Sequence, residues 1–219
     1  MFFSKIRVMA GLLALSAASH SGALAQDQKS DAPAEKSAEA AAAESIDSAI
    51  DFAKEVTADA TAAFSAEGAT EAEKLKGFED VLSEALALKT IGKFMLGESR
   101  KTMTEDQLAR YDAIFPAYIT RQYADQFAEI VGRPLEVTDA KKIGRRDVIV
   151  RTQFTRTDGS PVPVDWRVRK LKSGDQKMID IIVNGVSIML VKREEFSSFI
   201  ANNSVDALLT QLETEARAA

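Results

Sequence analysis

The sequence predicts an α+β domain with helices packed on one face of a curved antiparallel sheet. Three observations lead there. Apolar residues recur at helical spacing from residue 45 to about residue 131. From residue 135 the spacing switches to two, and Asp158-Gly159 and Ser173-Gly174-Asp175 punctuate the alternating runs. Two further amphipathic stretches close the chain. Helices and strands that are segregated along the sequence favour an α+β arrangement over a parallel βαβ one.

The first helix is expected to start at Ser45 as cap and to bury Ile46, Ala49, Ile50, Ala53, Val56, Ala60 and Phe64, ending before Gly68. A second spans 71–88, with Leu75, Phe78, Val81, Leu82, Ala85 and Leu86 facing in. Residues 91–97 form an apolar segment held between glycines. Thr104-Glu105-Asp106-Gln107 is a capping-box pattern that opens a helix to about residue 131. Its face carries Leu108, Tyr111, Phe115, Tyr118, Ile119, Phe127 and Ile130, and Pro116 is expected to kink or divide it.

Residues 135–138 read as a short strand. In 147–157, Val148, Val150, Thr152 and Phe154 alternate with Ile149, Arg151, Gln153 and Thr155. In the next strand, Val162, Val164, Trp166 and Val168 alternate with Pro163, Asp165, Arg167 and Arg169. Ile179, Ile181 and Val183 extend the same apolar face, leaving Ile182 unexplained. One face is therefore apolar and the other wet, as in a sheet covered on one side. Helices follow at 186–200 and 204–216, the second capped by Ser204.

Residues 1–25 read as a secretory signal. Lys5 and Arg7 form the basic region, 8–18 is an apolar stretch too short to span a bilayer, and Ala23-Leu24-Ala25 offers a cleavage pattern. Cleavage after Ala25 starts the mature chain at Gln26. Residues 26–44 lack aromatic and branched aliphatic residues and read as a flexible leader. Residues 45–217 then form a single domain.

This processing restricts the chemistry. The single histidine, His20, lies in the signal, and the sequence has no cysteine. Histidine-dependent nucleophilic systems and the usual zinc sites are excluded from the mature chain, and no metal or cofactor is expected. The signal holds two of the 28 basic and none of the 33 acidic residues, so the net charge moves from −5 to −7. Strong non-specific binding to nucleic acid or to an anionic bilayer surface is thereby disfavoured. Ser187 lacks an activating base and reads as a helix cap after Gly185. Asp180 reads as a charge paired near the sheet, with a neighbouring arginine. Asp158-Gly159 and Ser173-Gly174-Asp175 are too isolated for calcium loops. Arg145-Arg146 reads as a surface pair, with contact to a lipid headgroup or an acidic partner as its functional alternative.

Four ordered segments carry a resemblance: Pro163-Val164-Asp165-Trp166-Arg167-Val168-Arg169-Lys170, Ile179-Asp180-Ile181-Ile182-Val183-Asn184-Gly185-Val186-Ser187-Ile188, Phe196-Ser197-Ser198-Phe199-Ile200, and Val205-Asp206-Ala207-Leu208-Leu209-Thr210-Gln211-Leu212. Leu96-Gly97, Thr104, Gln107, Tyr111, Phe115, Tyr118 and Tyr123 add to it. The chain resembles the MlaC family, periplasmic phospholipid carriers between the two membranes of Gram-negative bacteria, also known as toluene-tolerance or ABC-transporter auxiliary components. Periodicity alone does not distinguish a solid core from a hollow one. The resemblance implies a hollow one, an apolar cavity lined by Phe94, Met95, Phe115, Tyr118, Ile119, Val150, Phe154, Val164, Trp166, Val168, Ile181 and Val183. It further implies a non-enzymatic periplasmic shuttle that maintains outer-membrane lipid asymmetry. Its partners would be phospholipid, an inner-membrane Mla-type ABC transporter complex and an outer-membrane lipoprotein complex. Two other classes stay open: a periplasmic chaperone or adaptor binding apolar protein segments, and a hydrolase using carboxylates such as Asp165 and Asp180.

Overall fold

The computed structural model describes residues 32–127, 133–156 and 158–217. The expected signal, the far end of the fourth helix with Ile130, and Thr157 lie outside them. Six helices and five strands follow one another as α1 (Ala32–Phe64), α2 (Glu71–Ala85), α3 (Leu88–Leu96), a 3₁₀ turn (Gly97–Lys101), α4 (Glu105–Phe127), β1 (Glu136–Ile143), β2 (Asp147–Thr155), β3 (Pro161–Lys170), β4 (Gln176–Val183), β5 (Val186–Ser187), α5 (Ile188–Asn202) and α6 (Val205–Arg217).

The α1 helix starts thirteen residues before the expected Ser45, so the stretch 32–44, read as leader, is helical. Ala, Glu and Lys are strong helix formers, and a run of them extends a helix without needing a buried face. Its inward residues include Ala49, Ala53, Val56 and Ala60, small enough to bring α1 close to β1, β2 and β3, against which it packs. Thr70 caps α2 in a reciprocal box with Glu73. That helix stops at Ala85, short of the expected residue 88. Leu86 turns extended, and the Ala87 N–H donates to the Met178 carbonyl at 2.8 Å, tying the link to β4.

Residues 91–97 belong mostly to the α3 helix. Its Gly92 is buried and lets α4 approach: a methyl there would sit 3.1 Å from Phe115 Cδ1 and 3.3 Å from Tyr111 Cε1. The capping box of α4 forms as expected, with Gln107 N–H to Thr104 Oγ1 at 3.2 Å and Thr104 N–H to Gln107 Oε1 at 3.1 Å. α4 runs through Pro116 without dividing.

The sheet is one antiparallel meander in the order β1-β2-β3-β4-β5. It is open and uncurled rather than curved, with β1 and β5 as edges that do not pair with each other. Val148, Val150, Thr152 and Phe154 stand opposite Val168, Trp166, Val164 and Val162, so the expected apolar face is in register. A bulge between Arg167 and Val168 brings Met178 opposite Val168 and leaves Ile179 outside the pairing. Helices cover this face, while Arg151, Thr155, Pro161 and Pro163 on the other are exposed.

Candidate lipid site

Ten of the twelve candidate residues are buried in one continuous apolar cluster: Met95, Phe115, Tyr118, Ile119, Val150, Phe154, Val164, Trp166, Val168 and Ile181. Phe94 and Val183 are half-buried at its edge. Phe94 instead holds the Arg193 guanidinium 4.6 Å above its ring, a cation–π contact that suits an exposed margin. The cluster joins two walls. One is the inner face of β2, β3 and β4. The other is helical: α1 lies on β1, β2 and β3, and α4 packs on α2, α3 and α6.

Aromatic residues dominate the helical wall. Tyr111 stacks on Phe115 at 5.1 Å, and Phe196 of α5 meets the edges of Tyr111 and Tyr118. The Tyr111 hydroxyl donates to the Gly92 carbonyl at 3.1 Å. Burial pushes the phenols of Tyr111, Tyr118 and Tyr123 well above their ordinary range, so all three stay neutral. The sheet wall holds one polar chain: the Trp166 indole N–H donates to Thr152 Oγ1 at 2.8 Å, and that hydroxyl donates to the Val164 carbonyl. Thr152 thus fits an apolar face because its hydroxyl is satisfied locally.

A cleft of about 240 Å³ opens where α4, α5 and α6 meet, lined by Tyr118, Phe196, Phe199, Leu208 and Leu212 with Lys192, Glu195 and Glu215 at its mouth. It is smaller than the roughly 300–1,000 Å³ of typical small-molecule sites. Of the twelve candidates, Tyr118 alone reaches it.

The carboxylates considered for chemistry are engaged elsewhere. Asp180 is buried and accepts from the Ile181 N–H at 2.9 Å, the Met189 N–H at 3.2 Å and Ser187 Oγ at 2.6 Å. Burial raises its pKa, against the lowering effect of those donors and of Arg167. Its expected arginine partner turns away: Arg167 stands opposite Asp180 in the register but its guanidinium binds Asp147. Ser187 caps α5 as expected, accepting from the Leu190 N–H at 3.1 Å. Asp165 faces Arg151 at 3.7 Å on the outer face, and burial raises its pKa too.

Sequence reasoning missed the clamp on Asp147. Arg169 grips both carboxylate oxygens, at 2.6 and 2.7 Å, and Arg167 grips Oδ2 at 3.0 and 2.7 Å. Burial raises the Asp147 carboxyl, but the two arginines outweigh it and hold it below the usual range. Met178, Ile91 and Tyr123 are buried in the same cluster, though none was among the twelve lining candidates. Among the described residues no group of His, Cys, Asp and Glu could hold a metal, and no helix is long and apolar enough to cross a membrane.

The chain is similar to known proteins. The family model for "MlaC protein" matches residues 50–214. The chain is 23% identical over 132 residues to the intermembrane phospholipid transport system binding protein MlaC of Haemophilus influenzae, covering 59% of this chain and 62% of that protein. It is 26% identical over 108 residues to the toluene tolerance protein ttg2D of Pseudomonas putida, covering 49% of each. The chain thus matches less than two thirds of the length of either relative. A phospholipid-binding protein from Ralstonia solanacearum, solved in complex with a phospholipid, shares the fold with a TM-score of 0.64 at 20% identity, over 75% of this chain and 94% of that one.

Proposed function

The chain belongs to the MlaC family, and from that premise we propose that it is a periplasmic phospholipid carrier of an intermembrane lipid transport system. One observation supports this most: an apolar cluster that runs unbroken between the sheet face and α4. In this reading the acyl chains part the two walls, lying between Phe115, Tyr118 and Ile119 on one side and Val150, Val164, Trp166 and Val168 on the other. Phe154, Ile181 and Met95 extend the lining, with Phe94 and Val183 at the rim. α4 is the wall free to yield, because its neighbours are helices and no ladder of backbone hydrogen bonds ties it to the strands.

The physical need is large. Burying hydrocarbon is worth about 0.8 kcal/mol per CH₂, so bringing a two-chain lipid into water costs on the order of 20 kcal/mol. Apolar walls that replace the bilayer remove most of that barrier. The work is done by binding alone, without catalysis, and the lipid is exchanged with an inner-membrane ABC transporter complex and an outer-membrane lipoprotein complex. Export uses the 1–25 segment, with cleavage after Ala25.

The test is organic extraction of the purified protein followed by mass spectrometry. Phospholipid at near one per chain is expected; lipid-free protein that also fails to take up added phospholipid overturns the reading. Trp166 is the sole tryptophan, so phospholipid with brominated acyl chains should quench its fluorescence. In Val168→Arg, a folded protein stripped of lipid supports the sheet face as lining. A folded variant with unchanged lipid moves the acyl chains elsewhere.

A further inference from the structure

The charge of this molecule is divided between its layers. Residues 133–187, which hold the sheet, carry twelve Lys and Arg against seven Asp and Glu, a net of +5; the whole chain is −5, so the remainder is −10. Within the sheet the excess gathers at one end. The turn between β1 and β2 and the turn between β3 and β4 lie side by side there, with Ile143, Asp147 and Arg169 in successive register. The Lys170 N–H donates to the Arg146 carbonyl at 2.9 Å and fastens one turn to the other.

This tip presents Lys141, Lys142, Arg145, Arg146, Lys170 and Lys172, all exposed except the half-buried Lys142. None of the six forms an ion pair among the described residues. Of the acids close by, Asp147 is buried between Arg167 and Arg169, while the exposed Asp175, which accepts from Ser173 Oγ at 2.7 Å, offsets one of the six cations. In their midst Ile143 is 40% exposed. Folding gains nothing from crowding like charges around an exposed isoleucine, and such self-repulsion opposes the compact state.

We propose that this basic tip docks the protein on the anionic headgroup surface of a phospholipid bilayer. Four of the six cations are lysines, which protein–protein interfaces are depleted in and which, as flexible point charges, suit a fluid layer of phosphates. A single aliphatic residue amid cations matches an interfacial contact, where apolar insertion and headgroup attraction add. The net negative charge of the rest of the chain keeps the contact local and reversible and fixes the orientation: tip towards the membrane, acidic helices away.

The test uses the full chain and vesicles of phosphatidylcholine, with and without phosphatidylglycerol, in a sedimentation assay across a salt series. Expected are binding to the anionic vesicles only, fading with salt, and a loss on the order of a hundredfold in Arg145→Glu/Arg146→Glu/Lys172→Glu. The milder Arg145→Ser/Arg146→Ser pair, which strains the turn less, should show a smaller loss in the same direction. Equal binding to both vesicle types, or unchanged binding by the variants, overturns the proposal. Binding to neither vesicle, with capture by polyglutamate instead, overturns it in favour of an acidic polypeptide partner. Bound phospholipid is measured in every sample: the variants should keep wild-type lipid content, so a failure of docking is separable from a failure of the carrier reading.

Discussion

Asp180→Ala removes one buried carboxylate and three hydrogen bonds together. The Ile181 and Met189 N–H groups are buried, and each loses an acceptor at about 1–3 kcal/mol. Ser187 Oγ loses its 2.6 Å bond but keeps accepting from Leu190, adding roughly 1 kcal/mol. Against this, burial already disfavours the charge, and its removal returns part of the loss. The net expectation is about 3 kcal/mol, a large share of the 5–15 kcal/mol typical of a domain. Asp180→Asn keeps an oxygen for the two N–H groups and offers Ser187 Oγ a donor, so it should cost only about 1 kcal/mol. The sign with pH follows from the raised pKa. The penalty of the charged form is full above the folded pKa and is relieved as pH falls through it, so Asp180→Asn lies closer to wild type at neutral than at acid pH. Urea unfolding followed by Trp166 fluorescence and by circular dichroism measures all three proteins. An alanine variant within 1 kcal/mol of wild type, or an asparagine variant as unstable as alanine, would refute the reasoning.

Gly92→Ala drives a methyl against Phe115 and Tyr111; overpacking should outweigh the gain in helix propensity by about 1–2 kcal/mol, read as a Tm lower by about 2–4 °C per kcal/mol. Asp147→Asn strips two arginines of their shared anion, and because both retain solvent access the loss at pH 7 should be about 2 kcal/mol. That deficit relative to wild type is full above the ordinary carboxylate pKa and disappears as pH falls through the depressed value in the fold, which acid titration of both proteins checks.

The strands were legible because burial on one side writes a period of two into the sequence, and the observed register of Val150 with Trp166 follows from it. Ten of the twelve lining candidates are buried for the same reason, as inward positions of periodic elements. α3 was not legible: nine residues with Gly92 among them give too few turns to show a period. β5 is two residues long and borrows its strand character from the turn at Asn184 (φ 50°) and Gly185 (φ 79°), both in the left-handed region that a tight hairpin needs. The start of α1 depended on propensity without a buried face, which has no period to read. The Asp147 clamp required the register itself, since its arginines are 20 and 22 residues away.

The two walls that meet at the apolar cluster differ in how far along the chain their contacts reach. The sheet is a meander whose strands join through short turns, so each pairing closes a small loop. The helical wall is stitched from afar: Gln107 bonds Asp206 across 99 residues and Arg110 bonds Glu213 across 103. Loop-closure entropy costs more for such distant contacts than for a hairpin. Separating α6 from α4 therefore undoes long loops while every hairpin stays closed. The sheet would then be preserved as the template on which α4 and α6 reseal.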